Sequence, residues 1–172
     1  LSDACGALAY LAKMPGIAPD NIGILGLSSG GLVALMAAQG LLAPGMIAPP
    51  NSSTPGAQFR GAFVLYPSCA NVRHDPKLSW MRQANVRRSP LNPPPAVTLV
   101  VGTEDDYEIN ASEDCNAVMD DLASRGHPTR LTLLPGATHA FDWPHPPPPG
   151  FSRFAKAGQG SMLTMRYSKR DS

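Results

Sequence analysis

The sequence predicts an α/β fold built on a mostly parallel sheet of four visible strands, with helices on both faces. Short apolar segments of strand length alternate along the chain with segments whose apolar residues recur every three to four positions, as in helices. The strand segments are apolar throughout, which is typical of parallel strands that are covered on both faces. The 172 residues are enough for one domain with a substantial core.

Local sequence signals mark where these elements begin and end. Ser2 or Asp3 can cap the first helix, and Pro19-Asp20-Asn21 is turn chemistry before the first strand. Gly40 and Gly126 end the second and third helices, since glycine accepts the backbone conformation that follows a helix. The predicted helices cover residues 4–13, the stretch between residues 28 and 40, and residues 112–124; the predicted strands cover residues 22–25, 62–66, 96–101 and 130–134.

Each predicted helix has one face directed at the core, and proline-containing segments connect the elements. Residues 41–58 and 68–95 are predicted loops, the second with at most a short helix near Trp80. The domain core is predicted at residues 3–143, followed by a proline-rich connector and a weakly patterned tail at residues 144–172.

In chain order, the predicted helix faces consist of Ala4, Ala7, Leu8 and Leu11, then Leu32, Leu35, Met36 and Gln39, then Cys115, Val118, Met119 and Leu122.

Composition excludes several classes of protein. The formal net charge is +1, without a cationic stripe, so neither a nucleic acid nor an anionic membrane is expected as a partner. Three widely spaced cysteines without a CxxC motif argue against a zinc or redox site and favour reduced thiols, with Cys69 and Cys115 as small apolar core residues. These features favour a cytoplasmic protein, although a leader could have been lost with a missing N-terminus.

The motif Gly-Leu-Ser-Ser-Gly lies between the first predicted strand and the second helix. This is the G-x-S-x-G pattern in the strand–turn–helix context of a nucleophile elbow. Gly26 and Gly30 lie two residues on either side of Ser28, where the turn comes close to its own backbone and favours residues without a Cβ. Ser28 is therefore the candidate nucleophile, and the backbone N–H of Ser29 is a candidate oxyanion donor. The same letters also suit an ordinary flexible turn.

Two further polar residues follow the ends of other predicted strands. Asp105 comes three residues after Gly102, and His139 comes at the end of the turn after the fourth strand. The chain order Ser, Asp, His is that of α/β-hydrolase triads, with His139 as the base and Asp105 as the acid that orients it. Asp106 is a rival for the acid, Asp105 could belong to a solvated acidic turn, and His139 could be a loop histidine bonded to a carbonyl.

Other polar residues give weaker signals. Asp142 and His145 lie close to His139, but their spacing across a proline provides no ligand geometry, so no metal and no cofactor are expected. Arg73, His74 and Arg82 could reach an anionic substrate, although a solvated loop surface explains them equally well.

The chain resembles the dienelactone hydrolase family of the α/β-hydrolase fold over roughly residues 3–143. The resemblance implies a serine hydrolase that acts on a small ester or lactone through Ser28, Asp105 and His139. Family members that open dienelactones carry cysteine where this chain has Ser28, which implies a more general esterase. The matching segments are DACGALAYLAKMPGIAPDNIGILGLSSGG, AVTLVVGTEDD, EDCNAVMDDLASRGH and LTLLPGATHAFD.

The family fold has about eight strands, of which this chain shows the last four, so the resemblance implies an internal fragment that lacks the N-terminal strands and the last helix. Two alternatives remain open from the residues. One is a serine peptidase of the prolyl-oligopeptidase type, which shares the fold and the triad order. The other is a non-catalytic α/β module with an incomplete site. The sequence leaves the oligomeric state unknown.

Overall fold

The computed structural model describes residues 1–40, 58–74, 93–105, 107 and 110–142. In these residues helices and strands alternate, as the sequence predicts. The helices are α1 (Ser2–Leu11), α2 (Ser29–Ala38), α3 (Cys69–His74) and α4 (Ala111–Ser124), with a single 3₁₀ turn at Pro19–Asn21. The strands are β1 (Gly23–Leu27), β2 (Gly61–Leu65), β3 (Ala96–Gly102) and β4 (Thr129–Leu134).

The four strands form one parallel sheet in the order β1-β2-β3-β4. Because every strand runs in the same direction, the residues that follow the four strands come together at one edge of the sheet. This is the edge at which Ser28, Asp105 and His139 were expected to lie.

The start of α1 and a short helix at the beginning of the second predicted loop differ from the sequence prediction. Helix α1 begins at Ser2 after an N-cap at Leu1 and has no side-chain cap, so neither Ser2 nor Asp3 caps it. A short helix, α3, begins at Cys69 inside the predicted loop 68–95, whereas the region near Trp80 lies outside the described residues. Six residues hold too little periodicity to reveal a helix, and packing against α4 stabilises this one.

The core lies between helices α2, α3 and α4 and one face of the sheet. Alternate residues of β2 and β3 point into it, and the predicted inward residues of α4 are all buried there. Helix α1 packs on α2 through a smaller cluster around Leu8, Ile22 and Phe59. The strand residues of the main core are Ala62, Val64, Val97, Leu99 and Val101.

The opposite face of the sheet retains exposed apolar side chains. Leu25 is 63% exposed and Phe63 is 43% exposed, so the expectation that the first strand is buried holds for one of its faces only. Within the described residues β1 pairs with β2 alone, which makes it an edge strand. In the same part of the chain, no helix is long and apolar enough to cross a membrane.

The prediction that Cys69 and Cys115 are reduced thiols is wrong. Their Sγ atoms form a disulfide that joins α3 to α4, and Cys5 is the free cysteine. The pairing depends on the tertiary approach of two helices whose cysteines are 46 residues apart, which the spacing alone could not reveal. Because disulfides are typical of oxidising compartments, this pair weighs against the cytoplasmic expectation.

Candidate active site

Ser28 lies in a sharp turn between β1 and α2. It is the N-cap of α2 with φ 52° and ψ −120°, a backbone conformation that costs free energy for a residue with a side chain. Its N–H donates to the carbonyl of Leu65 at 3.0 Å, and its carbonyl accepts from Leu32 N–H at 3.2 Å. The turn is therefore fixed to the neighbouring strand and to the helix, as a nucleophile elbow requires.

The glycines of the motif contribute unequally to this turn. A Cβ on Gly26 would overlap the backbone of Gly30, so glycine is required at the first position. An added Cβ on Gly30 would meet open space, so the expectation that both motif glycines are sterically required is wrong for Gly30. The next residue, Gly31, is the one that lies close to other atoms, since a Cβ there would lie 3.0 Å from Val64 Cγ1.

The turns after β3 and β4 are held against each other by their backbones. Glu104 N–H donates to the carbonyl of Ala137 at 3.0 Å, and Thr103 N–H donates to that of Leu134, also at 3.0 Å. Gly102 allows this approach, since a Cβ there would overlap the backbone of Ala137. As a result Asp105, which follows the first turn, and His139, which ends the second, are brought side by side.

Ser28, His139 and Asp105 form a continuous hydrogen-bonded chain. His139 Nδ1 is 3.0 Å from Asp105 Oδ2 and 3.2 Å from Oδ1, and His139 Nε2 is 2.9 Å from Ser28 Oγ. A carboxylate can only accept, so Nδ1–H donates to Asp105 and leaves Nε2 free to accept the Ser28 hydroxyl proton. The arrangement can therefore activate a hydroxyl as a nucleophile.

Burial strengthens these interactions. Asp105 is 7% exposed and His139 is 8% exposed, so water screens their charges little. One oxygen of Asp105 also accepts from the backbone N–H of Tyr107 at 3.1 Å, which fixes the carboxylate in place. The rival acid, Asp106, lies outside the described residues.

Two tyrosines that sequence reasoning missed contact the imidazole of His139. The Tyr107 ring stacks on it with centroids 4.6 Å apart and planes at 21°, and the Tyr66 ring meets it edge-on at 4.7 Å. The Tyr66 hydroxyl donates to Asp142 Oδ1 at 2.5 Å. Tyr66 was predicted as the last residue of a strand, and its positive φ of 36°, just after β2, is a feature that sequence does not reveal.

The remaining candidates have other partners or fall outside the described residues. Arg73 donates to the buried Asp114 at 2.6 Å, and His74 Nε2 lies 3.0 Å from the same oxygen, so both are tied to α4 rather than directed at the site. Arg82 and His145 lie outside the described residues. Across the ranges that the structure covers, no group of three or more His, Cys, Asp or Glu residues could hold a metal ion.

Ser29 begins α2 immediately after Ser28. Backbone N–H groups in the first turn of a helix have no partner within the helix, and the helix dipole favours negative charge there. The Ser29 N–H is therefore suited by position to stabilise an oxyanion that forms next to Ser28 Oγ.

Solved structures of similar fold include esterases and other hydrolases of low sequence identity. The esterase Est2 of the Planctomycetes species Thermogutta terrifontis, in its butyrate-bound form, is 22% identical, with a TM-score of 0.57 over 81% of this chain and 55% of its own. The acetyl ester-xyloside bifunctional hydrolase of Caldicellulosiruptor lactoaceticus is 20% identical, with a TM-score of 0.61 over 81% of this chain and 56% of its own. MGS-M1, an α/β-hydrolase enzyme from a Medee basin deep-sea metagenome library, is 20% identical, with a TM-score of 0.53 over 81% of this chain and 50% of its own.

These similarities, with the parallel sheet and its helices, show that the chain has an α/β-hydrolase fold. The chain spans about half the length of the structures it matches. No protein-family model and no curated protein sequence matches it.

Proposed function

We propose that the protein is a serine hydrolase that cleaves small carboxylic esters through an acyl-enzyme on Ser28. The observation that carries this proposal is the hydrogen-bonded chain from Ser28 Oγ through both imidazole nitrogens of His139 to the Asp105 carboxylate, with distances of 2.9 and 3.0 Å. A serine hydroxyl is a weak nucleophile at neutral pH, and a neighbouring base oriented by a buried acid is the usual means of activating it.

In the proposed reaction, Ser28 Oγ attacks the acyl carbon of the ester while His139 Nε2 takes the hydroxyl proton. The tetrahedral intermediate collapses as Nε2 returns that proton to the leaving alkoxide, which departs as an alcohol. A water molecule then gives a proton to Nε2 and attacks the acyl-enzyme. As this second tetrahedral intermediate collapses, Nε2 returns the proton to Ser28 Oγ, which releases the carboxylic acid and restores Ser28. Asp105 keeps the imidazole in one tautomer and stabilises the imidazolium in both halves of the reaction.

Negative charge develops on the acyl oxygen in each tetrahedral intermediate. In this mechanism the Ser29 N–H donates to that oxygen, and the dipole of α2 adds to the stabilisation. Removal of a single oxyanion donor typically costs about 10²–10³ in kcat, so this backbone group carries a sizeable share of the proposed rate enhancement.

Small esters are the proposed substrates because the structural neighbours include esterases. Est2 was solved with butyrate and with propionate bound, and the C. lactoaceticus enzyme is described as an acetyl ester hydrolase. The resemblance to the dienelactone hydrolase family adds lactones to the proposed class, and the serine at position 28 favours a general esterase within it.

Comparison of ester and amide turnover tests this proposal. The full-length protein should hydrolyse p-nitrophenyl acetate or butyrate and should leave a dipeptide p-nitroanilide intact, which separates it from a peptidase. Ser28→Ala should lower kcat by about 10⁴- to 10⁶-fold. Ser124→Ala, at the exposed end of α4, is the matched control and should retain full turnover. Undiminished turnover in Ser28→Ala would contradict the proposal.

A further inference from the structure

Tyr66 is a buried residue that the proposed mechanism does not use. It is 3% exposed and comes directly after β2, between the turns that carry Ser28 and Asp105. Its φ of 36° is unfavourable for an aromatic residue and persists only where the surroundings impose it. In the described part of the chain, the other non-glycine residues with positive φ are Ser28 and Ala140, which lie at the same site. The strain is thus concentrated around His139.

Tyr66 contacts three of the four residues in the segment 139–142. Its ring meets His139 edge-on at 4.7 Å and Phe141 edge-on at 5.2 Å. Its hydroxyl donates to Asp142 Oδ1 at 2.5 Å. Its own backbone N–H donates to the carbonyl of Val100 at 2.7 Å, which ties it to the neighbouring strand β3. Tyr66, through its backbone and its side chain together, therefore connects the middle of the sheet to both ends of this segment.

The segment 139–142 depends on contacts of this kind to fix its position. His139 follows a strand and a turn rather than lying inside either, and Ala140 after it has φ 57°, so no regular element fixes the imidazole. A triad histidine has to keep Nε2 at hydrogen-bond distance from the nucleophile, and a displacement of about 1 Å can cost 10²-fold in rate.

We propose that Tyr66 is a positioning residue that holds His139 Nε2 at hydrogen-bond distance from Ser28 Oγ. It acts through its ring contacts and through its hydrogen bond to Asp142. This inference rests on the proposed serine hydrolase function. Tyr66 touches neither substrate nor nucleophile in this role. It acts by fixing the segment 139–142 from one side while Asp105 and the stacked ring of Tyr107 fix the imidazole from the others.

The hydrogen bond between Tyr66 and Asp142 is expected to persist across a wide pH range. Burial raises the pKa of the Tyr66 hydroxyl above its usual value of 10, and the hydrogen bond to Asp142 and the nearby Asp105 charge raise it further. The hydroxyl thus remains a donor across the pH range of an esterase assay. Asp142 is exposed, so its carboxylate becomes hydrated when Tyr66 no longer donates to it, and removal of the hydroxyl does not leave a buried charge unpaired.

Paired variants at the two ends of this hydrogen bond test the inference in the full-length protein. Tyr66→Phe and Asp142→Ala each break the bond, and Asp142→Asn retains an amide oxygen that can accept it. Tyr10→Phe, at a tyrosine that is 68% exposed on α1, is the control. The readouts are kcat, KM, the rate at which paraoxon phosphorylates Ser28, and the Tm.

We expect Tyr66→Phe to lower kcat and the phosphorylation rate by about 10- to 100-fold with KM changed less than threefold. Asp142→Ala should have the same effect, the double variant should be no worse than either single one, and Asp142→Asn should recover most of the loss. Tyr10→Phe should match the wild type. A merely structural contact would lower the Tm without this split between kcat and KM.

The outcomes distinguish a failure of the positioning role of Tyr66 from a failure of the proposed hydrolase function. Unchanged kcat and phosphorylation in Tyr66→Phe would overturn the positioning role, as would losses that add in the double variant. If paraoxon fails to label Ser28 in the wild type, the proposed function itself is contradicted, and the role of Tyr66 falls with it.

Discussion

Asp105 combines two contacts that fix the orientation of its carboxylate. Its oxygens accept from His139 Nδ1–H and from the backbone N–H of Tyr107, and the group is almost completely buried. In Asp105→Asn the amide NH₂ can face Nδ1, which places the imidazole proton on Nε2 and removes the base. We expect kcat to fall by about 10⁴-fold. Asp106→Asn is the comparison. A larger loss of kcat in that variant would show that Asp106, rather than Asp105, is the acid that orients His139.

Tyr66 makes a pH-dependent contribution to stability. Because its pKa is raised in the folded protein, the unfolded chain loses this proton first as the pH rises above about 10. The contribution is therefore fully present below pH 10 and is lost progressively above it. Between about pH 9 and pH 11 the free energy of unfolding should fall more in the wild type than in Tyr66→Phe. Denaturant titrations at the two pH values measure this difference, and equal falls would contradict it.

The individual residues of the site could be predicted only in part. The approach of Ser28, Asp105 and His139 to one another could be predicted because each follows an apolar strand and their order matches known triads. Tyr66 and Tyr107 could not, because an aromatic contact with the imidazole depends on how two turns meet in space. The requirement for Gly30 was misjudged because the strand-to-helix path brings Gly26 and Gly31, but not Gly30, against other atoms.

The elbow between β1 and α2 depends on one of its two motif glycines more than on the other. Gly26→Ala places a methyl group against the backbone of Gly30 and should lower the free energy of unfolding by about 3 kcal/mol, or prevent folding. Gly30→Ala is the matched variant and should leave the Tm nearly unchanged, since its Cβ meets open space. Thermal melts of the two proteins check this, and equal destabilisation would show that the turn differs from the one described.

The disulfide between α3 and α4 gives a direct chemical prediction. Denatured protein consisting of residues 1–172, prepared without reductant, should show one free thiol, that of Cys5, and three after reduction. The double change Cys69→Ala with Cys115→Ala should lower the free energy of unfolding by about 2–5 kcal/mol. Cys5→Ala serves as the control and should have little effect. Three free thiols before reduction would contradict the pairing.

Most helices and strands could be predicted because their apolar periodicity is strong. The four strands and α4 lie within one or two residues of their predicted positions. Helix α3 is too short for such a pattern, and its stability comes from tertiary contacts with α4: the disulfide and the Arg73–Asp114 ion pair. Sequence reasoning fails at α3 because these contacts join residues more than 40 positions apart.

In the residues that the structure describes, one face of the sheet is covered by helices and the other is partly exposed. Leu25 and Phe63 are neighbours on the exposed face, beside the edge of β1 that has no partner strand among the described residues. Exposed apolar surface next to unpaired strand groups promotes association. Residues 1–172 expressed alone should therefore self-associate as concentration rises, and Leu25→Lys should reduce this. Tyr10→Lys, on α1, is the control, and light scattering measures the mass. A monomer at every concentration would contradict the prediction.

Mapping the adduct formed with paraoxon identifies the nucleophile of the protein. A structural neighbour, the T. terrifontis esterase 2, has been solved phosphorylated by this reagent. In the full-length protein we expect mass spectrometry to find one phosphoryl group, located on Ser28, with labelling abolished in Ser28→Ala and slowed by orders of magnitude in His139→Ala. An adduct on another residue, or equal labelling rates in the wild type and His139→Ala, would contradict the assignment of Ser28 as a nucleophile activated by His139.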